Sequence, residues 1–208
     1  MVKELAKITY VNAYNDYGIK LGYVNPNPED VTVFGSHRFA LAEEDRVETA
    51  PLERDMARIE EEVREARRQA DVVLVSLHVH ETDFDDFAVP PAFLEKAAKR
   101  CIDAGASAVI GHGPHELRGV ELYRGGLILY SLGNFIFQTE TISVQPYEAY
   151  ANKGLPIDTK VGAYMDRRSK NGTAGYPTQE DIWRSVMASW TMEEDRITQV
   201  RFHPISLG

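Results

Sequence analysis

Four of the six histidines are the side chains best suited to chemistry in this sequence. His78 and His112 each end a run of apolar residues, and His80 and His115 follow them closely. Neutral imidazole is the commonest protein ligand of transition metals, and it exchanges protons near neutral pH. Three converging imidazoles would hold Zn, Mn or Fe; the alternative is that each ring is an ordinary hydrogen-bonded residue. For His80 three roles stay open: metal ligand, proton donor or loop residue.

Carboxylate and amide side chains near these histidines are further candidates. An acidic segment directly follows His80 and contains Glu81, Asp83, Asp85 and Asp86. A carboxylate there would be a metal ligand or general base, or the segment is simply a solvated loop. Asn134 follows a predicted strand, and its amide either points at a metal or oxyanion or occupies a turn. In 111–115, glycine allows close backbone approach to a ligand and proline stiffens the turn.

The elements around these residues predict an α/β fold. Apolar residues at steps of four and three over 52–66 indicate a helix, and 71–77 is a continuous apolar run. Such a run is typical of a parallel strand buried on both faces. A second helix from Pro90 to Gly105 and a second buried strand over 106–110 complete a βαβ unit. Parallel strands end at one sheet edge, so His78 and His112 are expected to meet there.

The remaining segments predict a single domain over residues 1–208. Short strands are expected over 7–12, 18–24 and 31–34, and hairpins over 119–131 and 183–205. The stretch 132–180 is rich in Gly, Pro, Asn and Tyr without a sustained period, which predicts a long loop.

Composition excludes several classes of protein. With 208 residues, 43% hydrophobic and 26% charged, the chain is long and apolar enough for one sizeable core. A net charge of -9 argues against nonspecific nucleic-acid binding. The sequence predicts neither a signal peptide nor a membrane span in this chain. Cys101 lies on the apolar helix face, which predicts a core residue rather than a reactive thiol.

Three ordered segments resemble the second half of the CapA family of bacterial capsule and poly-γ-glutamate biosynthesis proteins: 75–78, 101–115 and 129–137. That family is similar to calcineurin-like metallophosphoesterases, whose fold is an α/β/β/α sandwich. The resemblance therefore implies a partial metallophosphoesterase-like sandwich with mixed sheets, forming one CapA-like domain over 1–208. It also implies a family often associated with the cell envelope.

The resemblance assigns roles to the same side chains. His78 matches the histidine that ends the family's Ser-Leu-His strand, and His112 and His115 match its Gly-His-x-Pro-His, which resembles the superfamily's closing metal motif. The resemblance therefore implies that these three histidines bind a divalent metal cofactor (Mn, Zn or Fe). His80 or Glu81 is then the proton-transfer candidate, and Asn134 is structural or lines the site. Many members have Trp-Gly after the strand-end histidine and a glutamate beyond it. Here Val79-His80 replaces that pair, and Glu81 arrives one position early.

The superfamily's first motifs, Asp-x-His, Gly-Asp and Gly-Asn-His, are absent from this sequence. Without their bridging carboxylate the chain would hold one metal at most, because two close cations repel each other. A missing N-terminal segment or a partner is expected to complete the sheet edge.

Two hypotheses about function follow from these residues and from the resemblance. One is a metal-dependent hydrolase or transferase acting at an ester or γ-linked amide, with an anionic polymer or a small phosphoester or amide as substrate. The other is a non-catalytic partial domain that binds a partner or polymer in capsule assembly.

Overall fold

The computed structural model describes residues 1–44, 46–82, 86–138 and 141–207. The chain divides into two compact units, Met1–Val47 and Glu48–Gly208. The single domain over residues 1–208 stays a prediction.

The first unit contains two helices and a hairpin: α1 Val2–Thr9, α2 Ala13–Lys20, β1 Val31–Phe34 and β2 His37–Ala40. The strand predicted over 31–34 is confirmed, whereas the strands predicted over 7–12 and 18–24 are wrong. In α1 the apolar residues Val2, Leu5 and Ala6 recur at helical spacing, and Ala6 is buried. An alternation of apolar and polar residues over only six positions is too short a signal to outweigh that helical spacing.

A mixed four-stranded sheet forms the centre of the second unit. Its strands are β3 Leu74–His78, β4 Ala108–His112, β5 Val120–Tyr123 and β6 Gly126–Leu129. They lie in the order β3-β4-β6-β5, with β3, β4 and β6 parallel and β5 antiparallel. The predicted βαβ unit and hairpin are both present. The predicted α/β class with a mixed sheet is therefore confirmed.

Two helices cover one face of this sheet: α3 Glu53–Gln69 and α4 Ala92–Asp103. Both were predicted from their apolar stripes, and Gly105 follows α4 with a positive φ of 115°. The helices bury Met56, Leu94 and Cys101 against strand residues such as Ile128. Cys101 is fully buried, which confirms it as a core residue, and this burial raises the pKa of its thiol to about 11.

The C-terminal hairpin covers the other face of the sheet. It consists of β7 Arg184–Glu193 and β8 Arg196–Ser206, joined at Glu194 and Asp195, which both have positive φ. Trp190, Ile197 and Val200 on the hairpin pack against a second buried cluster, Ala108, Leu127 and Leu129. The layers of the second unit are thus helices, sheet and hairpin, consistent with a partial α/β sandwich.

Two expectations about the second unit are wrong: the burial of β3 on both faces, and the long loop over 132–180. β3 is not buried on both faces: alternate residues are exposed, and Leu74 is 51% exposed. Within the described residues β3 has only β4 beside it, so one of its edges has no partner strand.

The stretch 132–180 is not a structureless loop. It contains α5 Tyr147–Ala151, α6 Val161–Ser169 and a short 3-10 helix Tyr176–Thr178, and a second 3-10 helix Glu180–Trp183 follows. Buried Tyr150 and Tyr164 join α5 to α6 with ring centroids 5.3 Å apart. None of the helices in the described ranges has the length and hydropathy that crossing a membrane requires.

Candidate functional site

The parallel pairing of β3 and β4 places His78 directly beside His112 at the carboxyl edge of the sheet. The pairing continues one residue further, where the Val79 backbone N–H donates to the His112 carbonyl at 2.8 Å. Gly113 has a φ of 125°, and a Cβ there would lie 2.6 Å from the Val79 carbonyl oxygen. Glycine at this position therefore lets the segments that follow β3 and β4 stay close beyond the strand ends.

Three imidazoles and one hydroxyl form a continuous line of polar contacts, which we call the histidine line. Ser76 Oγ lies 2.7 Å from His112 Nε2, and His112 Nδ1 lies 2.8 Å from His78 Nδ1. His78 Nε2 lies 2.8 Å from His80 Nε2. His78, His80 and His112 are all exposed. The structure therefore brings these three predicted site residues together at an open face.

The contacts restrict how protons are distributed along the histidine line. Each nitrogen–nitrogen contact holds one proton, because one imidazole nitrogen must donate and the other accept. With all rings neutral, every donor points the same way along the line. Reversing that direction moves a proton from one end of the line to the other. The histidine line is therefore able to take up a proton at one end and release one at the other.

His115 lies beyond the His80 end of the histidine line, with its ring centroid 5.9 Å from that of His80. Asn134, only 9% exposed, donates from Nδ2 to the Ile182 carbonyl at 2.9 Å and to the His115 carbonyl at 3.3 Å. These two carbonyls fix the amide orientation, so His115 Nδ1–H donates to Asn134 Oδ1 at 2.7 Å. The Nε2 lone pair of His115 is then left for a ligand or a proton.

The imidazoles are suitable metal ligands by type, but their placement does not form a coordination shell. Across the described ranges, no group of three or more His, Cys, Asp or Glu side chains could hold a metal ion. Two nitrogens bound to one tetrahedral zinc lie about 3.3 Å apart, farther than the 2.8 Å contacts here. His78 also faces its two neighbours with opposite ring nitrogens, which one ion cannot bind together. Metal binding by His78, His112 and His115 stays a prediction.

The described residues of the acidic segment contribute less to the site than the histidines do. Glu81 is exposed, and its backbone carbonyl accepts from Arg118 Nη2 at 2.8 Å. Asp86 Oδ1 accepts from the Ala88 N–H at 2.9 Å, so this carboxylate closes a turn. Asp83 and Asp85 lie outside the described residues. The proton-transfer role of Glu81 stays a prediction.

Sequence reasoning missed three features of the site. Ser76 shares a strand face with His78, so period-two alternation was a usable signal. Buried Arg118 holds the carbonyls of Glu81 and Phe87, and no local pattern pointed to it. The third feature is an aromatic wall beside His115, made of Phe137, Tyr176 and Trp183.

Partial desolvation by the neighbouring groups lowers the pKa of the His112 imidazole, and the nearby His78 imidazole lowers it further. We expect the His112 ring to titrate at lower pH in the folded, EDTA-treated chain than in the urea-unfolded chain. The unfolded state then binds more protons, so this group's contribution to stability is complete above its ordinary pKa of 6.5 and is lost as pH falls through the lower folded pKa. Proton NMR of the ring measures the titration, and His112→Gln assigns the resonance. A folded pKa at or above the unfolded value would contradict the expectation.

Comparison with known families bears directly on this site. Residues 9–139 match the profile of the bacterial capsule synthesis protein PGA_cap, a range that includes all four histidines and Asn134. The chain belongs to the PGA_cap family. This membership confirms the family resemblance drawn from the three sequence motifs. The match ends before α6 and before Tyr176 and Trp183 of the aromatic wall.

Several relatives are similar to this PGA_cap chain. An uncharacterized protein of Sinorhizobium fredii is 35% identical over 167 residues, which cover 74% of this chain and 35% of that protein. The capsule biosynthesis protein CapA of Bacillus anthracis is 44% identical over 68 residues, covering 33% of this chain and 16% of that protein. The PGA biosynthesis protein CapA of Bacillus subtilis is 40% identical over 75 residues, covering 36% and 19%. The chain spans about a third of the length of the first of these relatives.

Proposed function

We propose that this chain acts in capsule or poly-γ-glutamate biosynthesis, and that its histidine line transfers protons in hydrolysis or transfer at an ester or γ-linked amide. Membership of the PGA_cap family and the names of its CapA relatives support the biological setting. The single observation that carries the chemistry is the run of 2.8 Å contacts joining His112, His78 and His80 at an exposed sheet edge.

The proton balance of hydrolysis suits such a line. Water attacks the carbonyl carbon, its oxygen forms a new bond to that carbon, and the bond to the leaving nitrogen or oxygen breaks. The attacking water gives up a proton and the leaving group takes one. His80, at the outer end of the histidine line, is placed to accept the first proton. His115, with Nδ1 committed to Asn134, is placed to donate a proton from protonated Nε2 to the leaving group, and the proton taken up by His80 then replaces the one that His115 gave.

A divalent ion (Mn, Zn or Fe) at His78, His112 and His115 is part of the proposal on donor chemistry alone. When bound, such an ion polarises a carbonyl and lowers the pKa of a water molecule. The ring contacts described above do not accommodate it, so no step of the proposed proton transfer is assigned to it. Equilibrium dialysis of the chain against each ion, with and without His112→Gln, tests this component separately.

Turnover of poly-γ-glutamate and of a γ-glutamyl ester by the purified chain tests the catalytic proposal. New amine or alcohol ends are counted with EDTA and with each of the three ions. His78→Gln keeps a donor and an acceptor but cannot relay a proton, and we expect it to lower the rate about a hundredfold. His203→Gln, a histidine on β8 outside the histidine line, should leave the rate unchanged. No turnover by the unmodified chain under any of these conditions would overturn the catalytic proposal.

A non-catalytic role in capsule assembly is the second candidate. It is favoured by one observation: within the described residues, no carboxylate side chain joins the contacts of the histidine line. Under this alternative the chain binds polymer with equal affinity before and after His78→Gln, and releases no new chain ends. Fluorescence binding measured beside the turnover assay separates the two candidates.

A further inference from the structure

One segment of the second unit has a net charge opposite in sign to that of the whole chain. The whole sequence has a net charge of -9, yet 160–170 contains four cations and one carboxylate, a local charge of +3. The cations are Lys160, Arg167, Arg168 and Lys170, and all four are exposed. No carboxylate in the described ranges forms an ion pair with them. By contrast, Arg64 and Arg68 of α3 pair with glutamates, as Arg64 does with Glu60 at 3.1 Å.

Helix stability accounts for only part of this charge. Cations in the last turn of a helix interact favourably with its dipole, which explains Arg167 and Arg168. Lys160 precedes the first turn of α6, where the dipole disfavours a cation. Cations at both ends of a short helix therefore indicate a surface that attracts anions.

The aromatic wall connects α6 to His115, whose ring centroid lies 5.9 Å from that of His80 in the histidine line. The Arg168 guanidinium lies 5.7 Å from the Tyr176 ring centroid, and the Tyr176 and Phe137 centroids are 4.9 Å apart. Phe137 and Tyr176 lie 5.9 and 6.4 Å from the ring of His115. Trp183 packs on Phe137 at 5.5 Å, and its Nε1 donates to the Tyr176 carbonyl at 3.1 Å. These contacts make one continuous surface from the cations of α6 to His115.

We propose that α6 and the aromatic wall bind a carboxylate-bearing polymer and lead it to the histidine line. The substrate class rests on the proposed function; the location rests on the charges and ring contacts just described. A chain of -9 repels a polyanion over most of its surface, so binding requires a local region of opposite charge. The cations of 160–170 supply that region. The half-buried rings supply apolar contact for the methylene groups between successive carboxylates.

Fluorescence polarisation with labelled poly-γ-glutamate tests the location. We expect the double variant Arg167→Gln/Arg168→Gln to weaken binding about tenfold at low salt, because two exposed charge contacts to the polymer are lost together. The double variant Arg58→Gln/Arg201→Gln has the same net charge and alters exposed arginines elsewhere in the second unit. It should weaken binding less than twofold. Affinity of the unmodified chain should fall steeply with added salt.

The outcomes separate this inference from the proposed function. Equal weakening in the two double variants, no binding by the unmodified chain, or equal binding of a neutral dextran would each overturn the inference. Turnover that persists undiminished in Arg167→Gln/Arg168→Gln at limiting polymer would overturn it while the catalytic proposal stands. Binding that maps to α6 in a chain without turnover would support the inference while the catalytic proposal fails.

Discussion

Gly111→Ala should lower the free energy of unfolding by about 3 kcal/mol or more. A Cβ at this position would lie 2.3 Å from the Tyr130 carbonyl oxygen, 2.8 Å from the Tyr130 carbonyl carbon and 3.1 Å from the Leu129 carbonyl oxygen. All three are backbone atoms at the end of β6 or directly after it, so no side-chain rotation relieves the overlap. The added methyl group must push β4 away from β6, and with it His112.

Gly119→Ala is the matched control for that variant. Gly119 precedes β5, and a Cβ there meets no atom within 4 Å. Its substitution should change the free energy of unfolding by less than about 0.5 kcal/mol. Urea denaturation followed by circular dichroism measures both variants. Equal stability of the two would show that β4 and β6 do not approach as closely as described.

Asn134→Asp should lower the free energy of unfolding by about 2–3 kcal/mol at pH 8. Aspartate has nearly the shape of asparagine, but its ionised carboxylate only accepts hydrogen bonds. The carbonyls of Ile182 and His115 would lose the donor that now lies 2.9 and 3.3 Å away. They would instead face a negative charge in a site that is only 9% exposed.

Asn25→Asp adds the same charge at an exposed loop position and serves as the control. It should leave the free energy of unfolding within about 0.5 kcal/mol of the unmodified value. Denaturation in urea at pH 8 compares the two variants, and a parallel NMR spectrum reports whether the His115 ring keeps its environment. Unchanged stability in Asn134→Asp would mean that the amide does not donate to the two carbonyls.

Elements with long or strongly patterned sequences were predictable because their signals are local. These signals are the apolar stripe of α3, the proline and glycine that bound α4, and the turns of the β5–β6 and β7–β8 hairpins, and each is carried by residues close together in the sequence. The first unit was predicted wrongly at 7–12 and 18–24. Segments of six or seven residues satisfy strand and helix spacing almost equally, and tertiary contacts then decide between them.

The exposure of β3 illustrates a different limit. Its apolar run 71–77 predicts burial on both faces, yet Leu74 is 51% exposed, because the buried residues beneath the C-terminal hairpin, Ala108, Leu127 and Leu129, lie on β4 and β6. Which strands of a sheet are covered depends on how distant segments of the chain pack on them. That information is not contained in the strand's own residues.

For the site, the sequence alone determined that His78 and His112 end adjacent parallel strands, since a βαβ unit brings its strand ends to one edge. It also determined family membership through the motifs around these residues. Only the tertiary structure decided which imidazole nitrogens face each other, because this depends on strand register and ring rotation. The tertiary structure also decided the aromatic wall. Phe137 is far in sequence from Tyr176 and Trp183, and these side chains meet only when packing brings their segments together.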